Sequence, residues 1–115
     1  MLRIRPAQMN SMFEEMMNNF IEGLWQRLRS ERSELIAHLS DDEAQAEIRK
    51  AVALARHYGF SIKSVVARFV MLRLEQGEGF DSLAEVRRLL LDATAGEQER
   101  ITQTERYFAV AMPRD

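Results

Sequence analysis

Between Pro6 and Pro113 the chain contains no proline. Proline removes a helical hydrogen bond and clashes with the preceding turn, so its absence leaves helices free to run through the whole interior. Punctuation falls instead to the glycines at 23, 59, 77, 79 and 96. Three of these follow amphipathic runs, where a helix-ending residue adopts the left-handed conformation. Apolar residues inside the runs recur every three or four positions, the helical period. The pattern predicts an all-α fold, a compact bundle of about four to five helices with short Gly-containing turns. A chain of 115 residues is the size of one domain, so a single helical domain is expected, frayed at about residues 1–5 and 110–115.

The elements can be placed in order. Pro6 is a favoured first-turn residue and opens a helix that runs to about Arg29. Ser30 to Leu39 forms a short helical piece or turn. Ser40 with Glu43 matches the capping box that opens a second helix, with Ala44, Ile48, Ala51, Val52, Ala55 and Tyr58 on one face and Gly59 at its end. Ser61 is placed to cap a third helix, Ile62 to Gln76, closed by Gly77. Its run Val65 to Leu72 is apolar nearly all round, which marks it as the central element. The β-branched residues there raise a strand alternative, but length, the serine and the terminal glycine favour a helix. Ser82 and Glu85 repeat the capping-box pattern before a fourth helix carrying Leu83, Val86, Leu89, Leu90 and Ala93, ended by Gly96. A fifth helix from about Glu97 to Ala109 offers Ile101, Thr104 and Phe108 at helical spacing.

Charge and composition narrow the function. The 16 basic and 18 acidic residues give a net charge of -2. No segment is strongly basic, so the electrostatic footprint of a nucleic-acid binder is missing, and only residues 78–115 lean acidic. There is no cysteine, which removes disulfides, thiolate zinc sites and a cysteine nucleophile. The N-terminus lacks the apolar run of a signal peptide, and no stretch approaches the roughly 20 apolar residues of a membrane span. A cytoplasmic protein without a membrane or nucleic-acid partner is expected.

The candidates for chemistry each have a plainer explanation. His38 and His57 stand outside any metal-ligand spacing, and both sit where a cation favours a helix C-terminus. Asp41, Asp42 and Glu43 fall in the first turn of a helix, where carboxylates stabilise the dipole. Glu14 and Glu15 occupy a polar face. Gly77-Glu78-Gly79 lacks the third glycine and the preceding strand of a phosphate loop. No catalytic, cofactor or metal site is expected, and the chain reads as a non-enzyme. Helices two and three, joined by Tyr58-Gly59-Phe60-Ser61, loosely match a helix-turn-helix, with Lys63, Ser64, Arg68 and Arg73 as the base-reading candidates. The apolar remainder of that helix argues for the core instead.

The first helix is unusual. Apolar pairs Met12-Phe13, Met16-Met17, Phe20-Ile21 and Leu24-Trp25 alternate with polar pairs and lead to Leu28. The repeat is four residues, longer than the 3.6 of the helix, so the apolar stripe drifts by about 40° per step and about 160° over 16 residues. One flat neighbour cannot cover such a stripe. Either several helices of the same domain wrap around it, or part of it meets another chain. Methionine is over-used on adaptable binding surfaces, and tryptophan is enriched at interface hot spots. The row Phe13, Met17, Ile21 and Trp25 is therefore the candidate partner-binding row, with Met12, Met16, Phe20, Leu24 and Leu28 as the second row.

Several segments, in order, carry a resemblance that spans nearly the whole chain. They are Met1-Leu2-Arg3-Ile4-Arg5-Pro6-Ala7-Gln8-Met9, Ala55-Arg56-His57-Tyr58-Gly59, Val66-Ala67-Arg68-Phe69-Val70 and Gly79-Phe80-Asp81. The series resembles small helical proteins encoded beside spike and effector genes of bacterial type VI secretion systems. Ser82-Leu83-Ala84-Glu85 stands where such proteins often carry a Pro-Trp segment. The resemblance implies a setting of toxin delivery and brings no catalytic residue with it. Within that setting an effector-binding adaptor or chaperone is expected, its partner a secreted effector or spike component. An immunity protein masking a toxin, a homodimer, and a transcriptional regulator stand as alternatives.

Overall fold

The computed structural model describes the backbone of residues 6–111 and the side chains of residues 14–110. Among these residues every regular element is helical. The helices are α1 (Pro6–Glu31), α2 (Asp41–His57), α3 (Lys63–Gln76), α4 (Ala84–Leu90) and α5 (Glu97–Ala111). Helix α5 continues to Ala111. Residues 1–5 and 112–115 lie outside the described residues. The chain divides into two compact units, residues 1–49 and 50–115, with α2 passing from one to the other.

In the first unit α1 ends at Glu31, where Arg32 N–H still donates to the carbonyl of Leu28 at 2.9 Å. A one-turn 3₁₀ segment, Ser33–Leu35, follows. The capping box at Ser40 forms as expected. Glu43 N–H donates to Ser40 Oγ at 3.2 Å, and Ser40 N–H donates to Glu43 Oε1 at 3.1 Å. These bonds, the one from the Ser40 backbone foremost, hold the Glu43 carboxyl below its ordinary range. Buried side chains of the unit include Ile21, Leu24, Leu28, Ile36, Ala44 and Ile48.

The second unit is organised around α3. Val65, Val66, Phe69, Val70 and Leu72 are buried, so the apolar run is the central helix and not a strand. Phe69 is the hub of a chain of rings. Its centroid lies 6.1 Å from Tyr58, 5.7 Å from Phe60 and 5.4 Å from Phe80, and Phe80 lies 6.0 Å from Phe108. Tilted contacts at these separations add favourable quadrupole terms to the burial of area.

Helix ends in this unit are secured in ways that depart from local sequence rules. At the end of α2, Gly59 takes φ 87°, its N–H donates to Arg56 O at 2.9 Å, and Phe60 N–H donates to Ala55 O at 3.1 Å. That pair of bonds is a Schellman closure, which the glycine makes possible. The start of α3 is not capped by Ser61. Its hydroxyl donates to Glu97 Oε2 at 2.8 Å, while the backbone N–H groups of Ser61 and Ile62 donate to Glu97 Oε1 at 2.6 and 3.0 Å. One carboxylate at the head of α5 thus satisfies three donors, and their bonds, that from Ile62 foremost, lower its pKa.

The second capping box does not form. Ser82 closes a 3₁₀ turn, Phe80–Ser82, and its hydroxyl donates to Gly79 O at 2.7 Å, while Glu85 binds Arg88. Helix α4 therefore begins after Leu83 and spans 7 residues. It ends before the expected Gly96, because Asp92 Oδ1 accepts from the N–H and hydroxyl of Thr94 at 3.0 and 2.6 Å and turns the chain. Such side-chain bonds compete with helix continuation.

Arg100 joins three of these segments. Its Nη1 donates to Tyr58 O at 3.1 Å and to Leu90 O at 2.9 Å, and its guanidinium lies 4.7 Å from the Phe60 ring centroid. Both carbonyls sit at helix ends, where no intrahelical donor remains.

Candidate interaction surface

The drifting stripe of α1 meets two environments along its length. Counting about 100° per residue from Met16, the buried residues Leu24, Leu28, Ile21 and Trp25 lie at about 80°, 120°, 140° and 180°. They define one sector of the helix, and Ile21 and Trp25 are only 2% and 8% exposed. Glu14 and Met17 fall in the same sector, at about 160° and 100°. Yet Glu14 is exposed and Met17 half-exposed. No side chain from residue 14 to residue 20 is buried. Cover begins at Ile21, and the two turns before it present apolar groups to water. Met16 is 62% exposed, and Phe20 is half-exposed.

The expected partner row is therefore divided. The side chain of Phe13 lies outside the described residues, as does that of Met12 in the second row. Met17 belongs to the uncovered stretch. Ile21 and Trp25 are buried within the chain. Arg29 stacks over the Trp25 ring at 4.8 Å from its centroid. Trp25 Nε1 finds no acceptor among the described residues. Met16 and Phe20, assigned to the other row, stand with Met17 instead. Position along the axis explains this, since each row crosses from uncovered to covered at Ile21, so neither is homogeneous.

A concavity lies in the other unit, between α3 and α5. It encloses about 470 Å³ and is lined by Arg68, Met71, Leu72, Glu75, Glu105 and Phe108 among others. Arg68 grips Glu105 through both Nε and Nη2, the first at 3.1 Å, and Nη2 also donates to Thr102 Oγ1 at 2.9 Å. The hydrogen bond to Glu105 raises the pKa of the guanidinium.

The base-reading candidates on α3 are put to other uses. Arg68 is engaged by Glu105 and Arg73 is buried, while Lys63 and Ser64 are exposed. His57 packs edge-on against Tyr58 with centroids 5.6 Å apart, and His38 lies exposed in the turn before α2. The Tyr58 hydroxyl donates to Asp81 Oδ2 at 2.7 Å; burial foremost, then Asp81, raises its pKa. Among the described residues no group of three or more metal-ligating side chains is assembled. Likewise no described helix is long and apolar enough to cross a membrane.

Arg100 and Glu97 escaped the sequence reading. Their partners lie 10 to 42 residues away, and no local spacing announces such bonds. The exposure of Met16 was missed as well, because the row containing Met17 and Trp25 was expected to meet the partner. Comparison with protein families, curated proteins and solved structures finds no match to this chain.

Proposed function

We propose that the protein is a non-catalytic interaction module that grips another protein with the uncovered turns of α1. In the setting that the sequence resemblance implies, it serves as an adaptor or chaperone that holds a type VI effector for loading on the secretion spike. The observation that carries the reading is the exposure of Met16, Met17 and Phe20 on a helix whose following turns are buried. Water contact over an apolar stripe is unfavourable in proportion to its area, and a docked partner removes it. Thioethers and a phenyl ring suit an adaptable contact. The test is co-purification with the effector and spike proteins encoded beside it, comparing the natural chain with a Met16→Asp variant. Circular dichroism of the variant should be unchanged and the complex lost. A complex that survives Met16→Asp removes α1 from the interface. Binding to a toxin's catalytic domain, with protection of cells that make the toxin, would replace the adaptor role by an immunity role.

A further inference from the structure

We infer that the concavity between α3 and α5 is closed by Met112, the residue that follows α5, so that the site carries its own occupant. The inference is independent of the docking role of α1. Helix register carries it. Ser61 and Ile62, at the head of α3, bind Glu97, the first residue of α5, and further along Arg68 binds Thr102 and Glu105. Both sets of partners advance together, so the two helices run in the same direction. The bonded residues are 34 to 37 positions apart. Every α-helix rises equally per residue, so parallel neighbours hold such an offset along their length. Glu75 and Gln76, which line the concavity at the end of α3, are therefore level with position 112. On α5 the lining residues are Glu105, Phe108 and Ala109. Met112 follows Phe108 by four residues and Ala109 by three, the spacings that share one helical face.

The residue type suits the place. Met71, Leu72, Phe108 and Ala109 give the concavity apolar walls, and Met71 is still half-exposed. Methionine is unbranched and fills irregular apolar gaps. Pro113 disfavours helical backbone at the residue before it, so α5 advances no further and Met112 is the last side chain it presents toward α3. Covalent attachment to Ala111 keeps the thioether at a high effective concentration beside the walls, an advantage that no separate ligand or chain has. An apolar group from elsewhere enters the site only by displacing it.

The experiment uses the full chain with isotope-labelled methionine methyl groups. In the natural protein the ε-methyl of Met112 should show nuclear Overhauser contacts to the Phe108 ring and to the Met71 ε-methyl. A soluble gadolinium chelate should broaden it several-fold less than the ε-methyl of Met16, whose residue is 62% exposed. Met112→Asp should leave the circular dichroism unchanged and make the Met71 methyl several-fold more sensitive to the chelate, while Met112→Leu should keep it protected. A Met112 methyl broadened as strongly as that of Met16, without contact to Phe108, would overturn the inference. So would a Met71 methyl that responds equally in the natural chain and in Met112→Asp. Contacts seen only between differently labelled molecules in a mixed sample would also overturn it, in favour of a second copy filling the site. The contacts and the comparison with Met16 are read on the natural chain, so they decide the matter even where Met112→Asp fails to fold.

Discussion

Replacing Arg100 by methionine keeps an unbranched apolar stem and removes every donor. The side chain now closes two helix ends at once, donating to the carbonyls of Tyr58 and Leu90 at 3.1 and 2.9 Å. Both residues are buried, so water cannot readily replace the guanidinium. Hydrogen bonds to a charged group contribute about 1.5–3 kcal/mol each, and a ring contact such as that with Phe60 about 0.5–1 kcal/mol. Arg100 is itself half-exposed, so the low end of each range applies. Together they predict a loss of about 3.5 kcal/mol for Arg100→Met, a large fraction of the stability of a small domain. Lysine carries its donors at one point and reaches one carbonyl, so Arg100→Lys should lose about half as much. Urea unfolding followed by circular dichroism measures both, and the m-value should stay constant because the surface exposed on unfolding is the same. An Arg100→Met variant within about 0.5 kcal/mol of the natural chain, the range of ordinary surface substitutions, would show that the two carbonyls need no donor and would refute the argument.

Other outcomes follow from the same structure. Trp25→Ala should destabilise by about 3–5 kcal/mol, as a buried aromatic lost from a core does, whereas Met16→Asp should leave the melting temperature unchanged. Gly77 has φ 91° and ψ 170°, a region nearly restricted to glycine; Gly77→Ala should cost about 1–3 kcal/mol in thermal melts, although no neighbour obstructs the added Cβ. Gly59→Ala, at φ 87° with equal room, should cost about 1 kcal/mol. Glu97 has a lowered folded-state pKa. Its contribution is therefore present above the ordinary glutamate pKa and disappears as pH falls through the folded value. Acid unfolding of Glu97→Gln should show a shallower loss of stability over that window.

What could be read from the residues was whatever is decided within a few positions. The Ser40–Glu43 box and the Gly59 closure each involve partners no more than five residues apart, and both were legible. Ser61 and Ser82 carry the same local signals, but longer-range or tighter partners claim them: Glu97 for the first, the 3₁₀ turn at Gly79 for the second. A capping pattern states what a serine can bind, not what else will reach it. The α1 stripe was legible in its drift and illegible in its cover, because a helix-wheel angle does not say where along the axis the neighbouring chain begins.

The bonds at the head of α5 bear on how the protein is made. Glu97 holds the start of α3, Arg100 holds the ends of α2 and α4, and Glu105 holds Arg68. All of these anchors lie on α5. During synthesis α2, α3 and α4 leave the ribosome with those ends open and with Phe69 and Phe80 lacking the outermost ring of their chain, Phe108. Contacts between distant parts of a chain form only after the intervening loop has closed. The packing of the second unit is therefore complete only once α5 is in place, and α3 is the apolar segment left least covered without it.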